Sequence, residues 1–242
     1  MANYFVRISG NDSNAGTSPS VAWRTINKVL SSTGISSGDI VYIGGGIYRE
    51  SIAIGMTSAT AETKIIGDID GTQTGDPGEI QWTAYTINDE TATSGSWTLH
   101  LNTRDFLTFK NITFIGLNDT AISSSLANST NIKFINCCFI AGGDTTNSCI
   151  TYIGAFGIAA NWIIDKCLFL SGGSSAINFT LPTGTGADYD VNIQISNSIF
   201  ISGTVGVLVS SSGTSVNEGG GVIVKNCSFF INGGLTTQTT RV

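Results

Sequence analysis

Through the second half of the chain, apolar side chains recur at every second position and then stop at a fixed point. The pairs are Leu107 with Phe109, Ile132 with Phe134, Trp162 with Ile164, Ile193 with Ile195, and Val222 with Val224. A period of two is that of a β-strand with one buried face, and excludes an amphipathic helix. Each pair runs into the same kind of segment, as in Phe134-Ile135-Asn136-Cys137-Cys138-Phe139 and Val224-Lys225-Asn226-Cys227-Ser228-Phe229. The closing phenylalanines, Phe114, Phe139, Phe169, Phe200 and Phe229, stand 25, 30, 31 and 29 residues apart. Self-similarity at such a period marks a solenoid, in which each copy buries its apolar face by stacking on its neighbours.

Three residues before each phenylalanine stands Asn111, Asn136, Lys166, Asn197 or Asn226. Asparagine tolerates the bent backbone of a corner and bonds nearby peptide groups, so Asn111, Asn136, Asn197 and Asn226 are expected to form a ladder. Next come Ile112, Cys137, Cys167, Ser198 and Cys227, small or apolar residues suited to a line down a narrow core. Gly142, Gly172 and Gly203, with Asn232 in the last copy, supply the following turn. A second short strand then follows at Ala121-Ile122, Cys149-Ile150-Thr151, Ala176 to Phe179 and Gly206 to Val209. Coils of this size close as an all-β, right-handed, single-stranded parallel β-helix. The loops after these strands lengthen from 123–129 to 181–190 to 210–221, and insertions in a solenoid gather on one side, where a binding face is expected.

The first fifth reads differently. Tyr4-Phe5-Val6 precedes a turn-rich run from Gly10 to Pro19, then Trp23 to Leu30, then Gly38-Asp39-Ile40-Val41-Tyr42-Ile43-Gly44-Gly45-Gly46-Ile47-Tyr48-Arg49-Glu50. This opening resembles that of the right-handed parallel β-helix proteins of the pectate lyase-like superfamily, closely over residues 4–50 and loosely to about residue 234. The resemblance implies a first strand, a glycine-rich turn, a short N-terminal capping helix and the start of the coil. Trp23, Ile26 and Leu30 share one face at helical spacing, which predicts a helix from about Trp23 to Ser31 lying over the open first coil. One domain is expected over 1–242: a capping segment and first coil to residue 50, coils over 51–234, and a tail over 235–242.

Composition narrows the function classes. The chain has 30 glycines, 12% charged residues and a net charge of -6, with 11 scattered basic residues, which argues against a nucleic-acid surface. No stretch reaches the ~20 apolar residues of a membrane span, and the start carries no secretion signal. Five cysteines, three of them in the inward line, are read as reduced core thiols.

Candidate chemistry is sparse. A lyase needs a basic residue beside cation-binding acids, yet no arginine lies between Phe106 and Thr240, the lysines there are Lys110, Lys133, Lys166 and Lys225, and Lys110, Lys166 and Lys225, in or beside the asparagine corner, read as solvated edges. A glycosidase needs two facing carboxylates, for which Asp188 and Asp190 are the best pair. Asp68, Asp70 and Asp76 form an acidic loop that offers oxygens for Ca2+, but Gln73 stands where an EF-hand loop has glycine, and a turn-rich loop is the favoured reading over a metal site. His100 is the only histidine and reads as structural. Trp82, Tyr85 and Trp97 could offer a sugar-stacking patch, or fill the early coils.

Two expectations of different class follow. The first is a non-enzymatic bacteriophage virion component, a capsid decoration, head-fibre or tail-associated protein, made in the host cytoplasm. It would be a homotrimer with no cofactor and with partners such as the major capsid protein. The alternative is a carbohydrate-active enzyme, a polysaccharide lyase or glycosidase, or a glycan-binding module.

Overall fold

A computed structural model describes residues 1–31, 33–84, 97–116, 120–125, 129–142, 148–153, 160–172, 175–181, 191–211 and 220–231. All described strand pairs are parallel, and the strands fall into three sheets of eight, seven and six. The chain visits the sheets in turn. Ile132–Ile135 lies in the first, Cys138–Ala141 in the second and Ile150–Ile153 in the third, and Ala160–Asp165 then returns to the first, one rung further along. This is a right-handed parallel β-helix. Eight rungs in the first sheet give a rod about 34 Å long at ~4.8 Å per rung.

The repeated positions of the sequence align in space. Phe114 pairs with Phe139, Phe139 with Phe169, Phe169 with Phe200 and Phe200 with Phe229. Their rings form one column, with Trp82 tilted by 38° against its N-terminal side at 5.4 Å and successive phenylalanine centroids 5.4, 4.8, 4.7 and 4.7 Å apart. Such a column adds offset stacking to the burial of each ring. Beside it runs the line of Ile112, Cys137, Cys167 and Ser198, all buried, ending at the partly exposed Cys227. All five cysteines are free.

The corner that joins the first and second sheets is made by one residue per coil in the left-handed region. Asn111, Asn136, Lys166, Asn197 and Asn226 have φ of 59°, 53°, 56°, 50° and 52°. Asparagine enters this region more cheaply than other residues with a Cβ, and lysine at position 166 forgoes that advantage.

The N-terminal helix is shorter than the sequence predicts. It spans Ile26–Leu30, because Thr25 is its extended N-cap, with Oγ1 accepting from the Lys28 amide at 3.1 Å. Trp23 lies outside the helix in a bridge to Val6, its ring stacked 4.9 Å from Tyr4. Ile26, Val29 and Leu30 are fully buried, and the Leu30 carbonyl accepts from the Gly55 and Met56 amides, so the cap is fastened to the coil below it. At the other end, Val224 and Phe229 occupy inward register positions but are 40% and 44% exposed.

Candidate functional site

The three outer faces differ in chemistry. On the first sheet, Lys64, Thr108 and Lys133 stand on successive rungs, and Glu62 gathers them. Its carboxylate accepts from Lys133 Nζ at 2.8 Å and Thr108 Oγ1 at 2.9 Å, with Lys64 Nζ at 3.3 Å. The Lys133 hydrogen bond, aided by the other donors, lowers the Glu62 carboxyl to about 2 against the opposing effect of burial. The third sheet presents hydroxyls and amides, with Thr120 bonded to Thr151 and Thr180 to Ser210. The second sheet presents mainly aliphatic side chains from Ile115 onward.

The asparagine corner forms a ladder, but an exposed and interrupted one. Asn136 Nδ2 donates to Asn111 Oδ1 at 2.9 Å, and Asn111 Nδ2 donates to the Gly67 carbonyl at 3.2 Å. Gly67 continues the row into the preceding coil, and a Cβ there would collide with the Asn111 carbonyl oxygen. Lys166 breaks the row. Beyond it Asn197 Nδ2 turns to Asp165 Oδ1 at 2.8 Å, an oxygen shared with Ser196 Oγ at 2.7 Å. These donors hold the Asp165 carboxyl below its ordinary value. A shallow groove of about 290 Å³ follows this corner, with Asn136 and Lys166 among the polar groups and Ile69, Leu168 and Ile199 among the apolar ones.

A second amide ladder escapes the sequence reading. Asn161 Nδ2 donates to Asn131 Oδ1 at 2.8 Å and Asn192 Nδ2 to Asn161 Oδ1 at 3.3 Å. Its signal is an asparagine immediately before the inward Ile132, Trp162 and Ile193.

The acidic loop is stitched by its own carboxylates. Asp68 Oδ2 accepts from the Gln73 and Thr74 amides and from Thr74 Oγ1, at 2.9, 2.6 and 2.8 Å. Asp76 accepts from Arg7 Nε and Nη2, both at 2.6 Å, and that guanidinium depresses its carboxyl. Asp70 closes a local turn onto the Thr72 amide at 3.0 Å. Thus the three acids proposed for Ca2+ point to separate partners, and among the described residues no group of three or more His, Cys, Asp or Glu side chains is placed to hold a metal.

Other acids also bind backbone. Asp12 accepts from the Arg24 and Thr25 amides, and Asp105 from the Thr130 amide and Ser58 Oγ. Glu50 accepts from the Ile26 and Asn27 amides at the start of the helix, while burial pushes its carboxyl up.

The aromatic candidates separate. Trp82 is fully buried in the ring column, with Nε1 donating to the Glu50 carbonyl at 2.9 Å, so its faces are core and not a stacking surface. Trp97 is half-buried beside His100, with ring centroids 4.9 Å apart, and desolvation lowers the imidazole from its ordinary value. Tyr85, Asp188 and Asp190, with most of the lengthening loops, lie outside the described residues.

No family model and no curated protein matches the chain. Among solved structures, it is similar to a pectin methylesterase mutant in complex with a hexasaccharide, at 13% identity and a TM-score of 0.49, covering 96% of this chain and 81% of that one. It is similar to the rice weevil pectin methyl esterase at 13% identity and a TM-score of 0.48, covering 90% and 78%. A rhamnogalacturonan lyase aligns at 15% identity and a TM-score of 0.45, covering 95% of this chain and 62% of the lyase. Likeness at this level assigns the chain neither a family nor an activity.

Proposed function

We propose that this chain is a non-enzymatic structural protein of a bacteriophage particle, a capsid decoration or head-fibre rod that works as a homotrimer. The observation that carries this reading is the use of the carboxylates. Asp12, Glu50, Asp76, Asp105 and Asp165 each accept hydrogen bonds that fasten one segment of the rod to another, and Asp68 pins its own loop. Acids used this way act as stitches; hydrolysis of a glycoside needs a facing pair with access to substrate. The hydroxyl- and amide-rich outer face and the continuous ring column also suit a rigid, weakly charged spacer. Its partners would be further copies of the chain and other virion proteins such as the major capsid protein.

A glycan-binding or glycan-cleaving role is the second reading, favoured by the groove where corner amides and Lys166 lie beside Leu168 and Ile199. Incubation with a panel of acidic and neutral polysaccharides separates the two. The structural reading expects no new reducing ends or unsaturated products, together with a solution mass near three chains. Turnover of any glycan by a single chain would overturn it.

A further inference from the structure

The outer face of the second sheet is the least ordinary surface of the rod. Cross-strand register sets Ile115, Ile140, Leu170, Ile201 and Phe230 in one row, one residue per coil. Cys138, Leu168 and Ile199 make a parallel row two residues away. Both rows point away from the phenylalanine column, and exposure rises along them, with Ile199 at 44%, Ile201 at 45% and Phe230 at 60%. Over the five strands from Thr113–Gly116 to Ser228–Ile231, no outward position carries a charge. A solvated sheet face ordinarily alternates apolar inward with polar outward. Here two coils of the same face read Leu168-Phe169-Leu170 and Ile199-Phe200-Ile201.

We infer that this stripe is the seam at which further copies of the same chain meet, with three rods packed parallel and their second sheets facing a common axis. The inference rests on the homotrimeric reading proposed above and adds the surface that makes it. Three features favour a copy over an unrelated partner. The chain carries a net charge of -6, so two copies repel across most surfaces, and this face brings them together without burying like charges.

The stripe also repeats at the ~4.8 Å rung spacing of the coil, so a parallel copy offers side chains at the same pitch, rung for rung. The third feature is width. Each four-residue strand turns two side chains outward, about 7 Å apart, over about 19 Å of rod length. That is a ridge, which suits the meeting of three edges on an axis better than the opposition of two broad sheets. It is the apolar centre of an interface, and the exposed asparagine corner along one flank supplies a polar rim.

The test is solution mass by light scattering over a concentration series, for the full chain and three variants. The full chain is expected near three times 25.2 kDa. Leu170→Lys combined with Ile201→Lys should fall to the mass of one chain, with an unchanged far-ultraviolet circular dichroism spectrum. Thr180→Lys, on the outer face of the third sheet, should remain trimeric. Because the double variant could unfold, Ile201→Cys serves as a mild second probe: equivalent residues meet at the axis, so mild oxidation should give disulfide-linked dimers on a non-reducing gel. A trimer that survives both lysines, or that shows no such cross-link in the Ile201→Cys variant, removes this face while leaving the homotrimeric reading intact. A full chain that stays at the mass of one chain, or forms only dimers, removes both.

Discussion

The rings of Phe200 and Phe229 lie 4.7 Å apart and 8° from parallel, yet Phe200 is fully buried and Phe229 is 44% exposed. One coil therefore separates a core position from an end position in the same column. Truncation should cost most in the middle. Phe169→Ala is expected to destabilise by ~3–5 kcal/mol, the usual cost of an aromatic cavity, and Phe229→Ala by clearly less. Urea unfolding midpoints at constant slope would show the gradient; equal losses would mean that the last coil is as well covered as the rest.

The left-handed corner predicts a gain at one position. Lys166 holds φ of 56° in a row otherwise made of asparagines. Lys166→Asn should raise stability by ~0.5–1 kcal/mol, by lowering the cost of the bent backbone and by offering an amide between Asn136 and Asn197. Asn136→Ala should lose ~1–2 kcal/mol, from the same backbone term together with an exposed hydrogen bond. A thermal midpoint unmoved in both variants would remove the corner from the account of stability.

Glu62 supplies a pH signature. Its carboxyl is lowered to about 2 by Lys133 and its other donors, from an ordinary value of 4.5. A depressed carboxyl stabilises the fold at pH above its unfolded value, and that contribution is lost as pH falls from about 4.5 through about 2. The group is partly exposed, so the effect is modest. Glu62→Gln should flatten the acid limb of the melting profile between those values and leave the neutral limb with the same slope.

Calcium should do little. Asp68 already accepts three hydrogen bonds within its loop and Asp76 is held by Arg7. Millimolar Ca2+, or its removal with a chelator, is expected to leave the thermal midpoint where it was; a rise that saturates with Ca2+ would show a site binding the folded state.

Much of the architecture was legible because the coil repeats its local chemistry. The asparagine corner, the phenylalanine column and the cysteine line each needed only spacing and residue type. What was not legible depends on contacts between distant positions. Glu62 and Lys133 are 71 residues apart and meet only because a single rung, that of Thr108, separates their coils. The second ladder, Asn131 with Asn161 and Asn192, is one amide among many in a chain rich in asparagine. The buried state of Trp82 follows from its register with Phe114, which no local pattern encodes. In Leu168-Phe169-Leu170, alternation identifies Phe169 as inward but gives no reason to expect leucine on both outward neighbours. The corner asparagines were legible, but not that Asn136 bonds Asn111 whereas Asn197 turns to Asp165, because Lys166 stands between them in the row.

The thiol line described within the coil doubles as a clock for fraying. In this line Cys137 and Cys167 are buried, and burial pushes the Cys167 thiol well above its ordinary value, which disfavours the reactive thiolate while the coil is closed. Cys227, in the last described coil, is only partly covered. A solenoid that opens from this end should therefore yield the inward thiols of this line to an alkylating reagent one coil at a time, with Cys227 first and Cys167 before Cys137, while the outward Cys138 reports no opening. The order of labelling would report directly how far the unzipping has travelled.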